Sequence, residues 1–162
     1  MITTFLEEHN QMRIKERSIN SRHLWLIDMA RDMKTEQQTG RVFVCCFALR
    51  SNKILAIGCN SYDEHHPRKH FGNYQALKSN DPENYNSGLH AEVKVIKQLG
   101  YWMPRKTFNN IELFVVRLDN NKKMNTCLAL PCKNCQRVLS EYPFKKISFT
   151  TENINRIGEI KL

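Results

Sequence analysis

From Ser21 to Met33 apolar side chains recur at helical spacing. Trp25, Met29 and Met33 form one row with Leu24, Leu26, Ile27 and Ala30 beside it, and Ser21 stands where an N-cap belongs. A polar break follows from Thr35 to Gly40. Arg41 to Leu49, rich in Val, Phe and Cys, then predicts a buried strand, and the turn Ser51-Asn52-Lys53 leads into a second one, Ile54 to Cys59, so the two form a hairpin. Asn60 to Ser87 has neither period; it carries Pro67, Pro82 and the run His65-His66-Pro67-Arg68-Lys69-His70, which predicts a long loop, or a loop with a short helix inside, of the kind that is usually functional or mobile. Helical spacing returns at Leu89 to Leu99 (Val93, Val95, Ile96), ending at Gly100 as a C-terminal glycine.

Ile111 to Leu118 predicts the next strand, Asp119 to Lys122 a turn, and Met124 to Leu130 a short strand or irregular return. Lys133 to Tyr142 is helical in pattern and Lys146 to Thr150 is a further strand. The succession implies an α/β fold: one sheet with helices packed on it and at least one parallel crossover. Residues 1–20 are set apart as an N-terminal arm, because only the weak row Phe5, His9, Met12 marks them, and 21–162 as a single domain. No internal repeat, heptad or low-complexity tract interrupts this.

Composition narrows the class. The 162 residues, 41% hydrophobic and 25% charged, suffice for one ordinary core and exclude a disordered tail. No apolar run approaches the ~20 residues of a membrane helix, and no basic segment precedes an apolar stretch at the N-terminus, so a soluble, cytoplasmic protein without a membrane partner is expected. The net charge of +9 is concentrated in residues 91–162, with 13 Lys and Arg against 6 Asp and Glu. A polyanionic partner, a phosphate-bearing substrate or a solvated basic face would account for it.

Six cysteines are too dilute for a disulfide scaffold. Cys45, Cys46, Cys59 and Cys127 read as small buried hydrophobes. Cys132 and Cys135 form a C-x-x-C, for which a structural zinc knuckle, a redox pair and a metal ligand pair all come into question. Their context decides among these. Pro131-Cys132-Lys133-Asn134-Cys135 opens one predicted helix and His90-Ala91-Glu92 opens another. Two cysteines three apart in a first helical turn point the same way, and the positive end of the helix favours their thiolates. With His90 as a third donor, they make an N-S-S set for Zn²⁺ that leaves a fourth position for water, the arrangement of a catalytic rather than a structural site. Glu92, in the same turn as His90, is close enough to exchange protons with that water without being a ligand.

H-x-E followed at a distance by P-C-x-x-C is the signature of zinc deaminases acting on cytosine or adenine, and the chain resembles the cytidine and deoxycytidylate deaminase superfamily from about Ser21 to Thr150. That resemblance implies a three-layer α/β/α fold with a mixed central sheet of about five strands. It also implies a hydrolytic aminohydrolase with Zn²⁺ as cofactor, His90, Cys132 and Cys135 as ligands and Glu92 as the proton-transferring residue. In relatives, a Gly-x-Asn at the end of the second strand holds the substrate sugar, which matches Gly58-Cys59-Asn60 and makes Asn60 a substrate-binding candidate. The backbone amides around Ala91 and Cys132 would meet the base.

In place of the family's usual Thr-Leu-Glu-Pro-Cys stands Leu128-Ala129-Leu130-Pro131-Cys132, after a long interval from Glu92, as in small deaminase-like proteins of phages and large viruses. The expected substrate is a free nucleoside or nucleotide such as deoxycytidine or dCMP; cytosine or adenine in single-stranded DNA or RNA is the alternative, and a homo-oligomer is expected. An inactive zinc-binding scaffold is the non-enzymatic reading, against which the presence of Glu92 speaks. His65, His66 and His70 could form a second metal site, a phosphate or nucleic-acid contact with Arg68 and Lys69, or a solvated loop. Phe71, Tyr101 and Trp102 could stack on bases or cap the core.

Overall fold

A computed structural model describes residues 14–37, 42–60 and 90–162. Residues 1–13 of the arm, Arg41, Leu89 and the loop carrying His65, His66, Arg68, Lys69, His70 and Phe71 lie outside them. The elements are β1 (Lys15–Ser18), α1 (Ser21–Gln37), β2 (Phe43–Arg50), β3 (Lys53–Cys59), α2 (Ala91–Gly100), a 3-10 turn (Arg105–Asn110), β4 (Glu112–Leu118), β5 (Thr126–Cys127), α3 (Lys133–Leu139), β6 (Lys146–Thr150) and β7 (Arg156–Ile160).

The strands form one mixed sheet in the order β1-β7-β6-β4-β2-β3, with β5 on β4. β2 runs antiparallel to β3 and β4, whereas β4 and β6 are parallel and joined through α3, the expected crossover. β6 pairs with Glu112 to Val115 and stops; β5 takes over at Arg117 and Leu118.

Period-two alternation sorts β2 into two cores. Cys45, Phe47 and Leu49 meet Leu26, Ile27 and Ala30 of α1 on one face, while Cys46 and Ala48 meet Val95, Ile96 and Leu99 of α2 and Val138 and Leu139 of α3 on the other. The result is the expected three-layer α/β/α arrangement. The sheet has seven strands among the described residues rather than about five. The additions are the outer pair β1 and β7, held at Lys15↔Glu159 to Ser18↔Arg156 and by an Arg17–Glu159 ion pair of 2.8 Å.

Three local expectations change. Asn20, not Ser21, caps α1: its Oδ1 accepts from His23 N at 2.9 Å and its carbonyl from Leu24 N at 3.1 Å. Trp25 and Leu24 face outward, so the core row of α1 is Leu26, Ile27 and Ala30, with Met29 and Met33 half-buried beside it. Gly100 is the last residue of α2, followed by Tyr101 in right-handed helical conformation (φ −68°), so no left-handed glycine ends this helix. The chain instead tightens through Trp102 N to Leu99 O at 3.2 Å.

Candidate active site

α2 and α3 lie side by side on one face of the sheet, and their N-termini meet at the end where β4 finishes. His90 is the N-cap of α2, in extended conformation (φ −74°, ψ 151°), with its carbonyl accepting from Lys94 N at 3.0 Å. Cys132 is the N-cap of α3 (φ −64°, ψ 164°), and its Sγ accepts from Cys135 N at 3.5 Å. The two caps thus deliver three donors to one point. His90 Nδ1 lies 3.1 Å from Cys135 Sγ and 3.6 Å from Cys132 Sγ, and the three donor atoms all fall within 4.8 Å of one another.

This group fits zinc. Tetrahedral ligands 2.0–2.3 Å from the ion stand roughly 3.4–3.8 Å apart, close to the separations found here. An imidazole with two sulfurs is also a donor set that selects zinc over hard cations. Electrostatics agree. Cys132 is held down to about 4 by the hydrogen bond with Cys135, against its burial, with further help from His90. Burial lowers the His90 imidazole, and hydrogen bonding and charge at Cys132 more than reverse this, leaving it above its usual value.

Glu92 stands outside the ligand group, buried at 5% exposure, with its Oε2 accepting from Cys135 Sγ at 3.8 Å. Burial pushes its carboxyl above the usual range, and the nearby His90 charge only partly offsets this. A carboxyl so placed holds a proton readily and gives it up within the site. Beneath it lies Cys46, fully buried, its thiol raised by burial and by Glu92.

A cleft of about 230 Å³ opens beside the group, lined by Val44, Asn60, Ala91, Arg117 and the run Leu128 to Leu130, with His90, Glu92 and Cys132 at its end. All six candidate residues therefore border one site: five line the cleft and Cys135 completes the ligand group. Asn60 does more than line it. Its Oδ1 accepts from Val44 N at 2.9 Å and its Nδ2 donates to Val42 O at 3.0 Å, continuing the β2–β3 pairing past the end of β3. Ala91 opens α2, where first-turn amides lack helical partners.

Sequence reasoning missed Arg117 and Val44, which face each other across β4 and β2. No alternation marked them in the sequence: Leu113 to Val116 are apolar on both faces of β4, and only the fold shows that Arg117 shares the face of Leu113 and Val115. Cys45, Cys46 and Cys59 are buried as expected; Cys127 is only half-buried. Tyr101 and Trp102 are 78% and 56% exposed and do not cap the core. No helix among the described residues is long and apolar enough to cross a membrane. A family model described as the cytidine and deoxycytidylate deaminase zinc-binding region matches residues 20–151, and no curated protein matches the chain.

Proposed function

The chain belongs to the cytidine and deoxycytidylate deaminase family, and from that premise we propose that it hydrolyses cytosine to uracil in a free nucleoside or nucleotide of the deoxycytidine or dCMP kind, releasing ammonia. The observation that carries the reading is the buried Glu92 carboxyl beside, but not within, the His90–Cys132–Cys135 group. Those three side chains would hold zinc, which when bound supplies a water acidified toward a pKa of about 7.

The remaining work falls to the chain's own groups. Glu92 would carry two protons in turn: one taken from the attacking water and given to the ring nitrogen beside the amine-bearing carbon, and a second taken from the hydroxyl that the attack leaves on that carbon and given to the amine as it departs as ammonia. Val44, Leu128, Ala129 and Leu130 give the base an apolar slot, and the amide of Ala91 is a donor for its carbonyl. Asn60 braces the wall against which the sugar would lie. The domain would be 21–162, with the arm 1–20 laying β1 on its sheet. A reducing compartment such as the cytoplasm would keep Cys132 and Cys135 as thiols free to take the metal.

Zinc-loaded wild type and Glu92→Gln, compared by ammonia release and the cytosine-to-uracil absorbance change, test this. The variant is expected to keep its zinc and lose roughly 10²- to 10⁴-fold in turnover, the usual contribution of a general acid–base. A variant that retains wild-type turnover overturns the assignment.

A further inference from the structure

Along β4, Leu113, Val115 and Arg117 step down the same face of the sheet. The first two are sealed beneath the helices at 1% and 0% exposure. The third lies past the helix N-termini and opens into the cleft. A pattern of this kind calls for another aliphatic side chain, and the chain supplies a guanidinium instead. Arg117 is the only Lys or Arg among the described residues lining the cleft, and its guanidinium makes no hydrogen bond or ion pair among the described residues. Its own amide is held by Thr150 Oγ1 at 3.1 Å, so the strand beneath it is fixed.

Register gives the guanidinium a place relative to the rest of the site. Asn60 N donates to Val44 O at 3.0 Å and Val44 pairs with Arg117, so Asn60, Val44 and Arg117 form one row across three strands. Two strand spacings separate its ends, roughly 10 Å of backbone. A sugar lying against the Asn60 end therefore has its phosphate within reach of a long side chain rooted at the other end. The walls between are apolar, and Arg117 itself is exposed, so its attraction for an anion acts through solvent and falls with salt. A planar fork of N–H donors also matches phosphate oxygens two at a time.

We propose that Arg117 is the phosphate-reading residue of this cleft, and that the substrate is a cytosine nucleotide carrying a phosphate ester on its sugar rather than the free nucleoside. This rests on the deaminase reading above and deepens it. A 5′-monophosphate and the phosphodiester of a short single strand share the chemistry, and the assay separates them.

The test uses the zinc-loaded full chain as wild type, Arg117→Gln and Arg117→Lys, with kcat/KM measured on deoxycytidine, dCMP and a trinucleotide holding one central cytosine. In Arg117→Gln the loss on dCMP or on the trinucleotide should exceed the loss on deoxycytidine by about tenfold or more, carried in KM, with part of it restored by Arg117→Lys. Whichever phosphorylated substrate shows the excess identifies the source. Equal losses on all three overturn the proposal, because they indicate only a structural role.

Calorimetric titration with the products dUMP and deoxyuridine gives a readout independent of turnover. Wild type should bind dUMP the more tightly, and Arg117→Gln should erase the difference. A difference that survives in the variant, or that is absent from wild type, overturns the role of Arg117. Silence of wild type on every substrate, with dUMP still bound through Arg117, would instead count against deamination of cytosine.

Discussion

At single positions the chain accepts groups that folding alone would not choose. Glu92 occupies a helical position whose neighbours Val93 and Val95 are fully buried, and desolvation there works against the charged form. The proton-transfer role proposed for it, rather than stability, would account for its presence. His23 is the counterpart on the opposite face: its ring sits 4.7 Å from that of Phe114, and burial, then the charge of Arg22, lower it from 6.5 to about 4. Since the folded value lies below the unfolded one, the neutral ring stabilises the fold fully above pH 6.5, and that contribution drains away as pH falls toward 4. Urea melts of wild type between pH 7.5 and 4.5 should therefore show declining stability, and His23→Gln should decline less; equal slopes would exclude His23 as the source.

At the scale of elements, the position of α2 depends on a missing side chain. A Cβ on Gly58 would come within 2.8 Å of Ala91 O and 3.1 Å of Val95 Cγ2, so the start of the helix carrying His90 and Glu92 rests directly on β3. Gly58→Ala must push that start outward. It should cost about 1–3 kcal/mol of stability and lower zinc retention in a chelator titration; unchanged retention would mean that the site tolerates the shift. The Gly-x-Asn pattern marked this place in the sequence, although not the reason for the glycine. The central strands and all three helices were legible because each has an apolar face of its own. β1 was not: Lys15, Glu16, Arg17 and Ser18 are all exposed, and backbone pairing with β7 and ion pairs hold them where no hydrophobic period could announce them. β7 buries only Ile157, Gly158 and Ile160, too short a pattern after a run of polar residues. The zinc group was readable because its members sit at helix starts, whereas Arg117 was hidden in a strand whose two faces cannot be told apart from one sequence.

On the scale of the whole molecule, two helices on one face of a single sheet bring His90 within reach of cysteines 42 and 45 residues further along the chain. Neither the β3–α2 unit nor the β4–α3 unit contains the full donor set, and β2 lies between their strands. This separation has a kinetic consequence. Closing so long a loop before the sheet has formed is entropically costly, so the three donors come together only after both units have docked, late on the folding route. An ion that recognises them acts on the finished fold and hardly at all on the transition state. Stopped-flow experiments should accordingly find that zinc slows unfolding by a large factor and leaves the refolding rate nearly unchanged. The opposite partition, faster refolding at a constant unfolding rate, would mean that the donors meet early. Bound zinc would then serve as a latch on a door already shut, lengthening the life of the folded protein rather than speeding its formation.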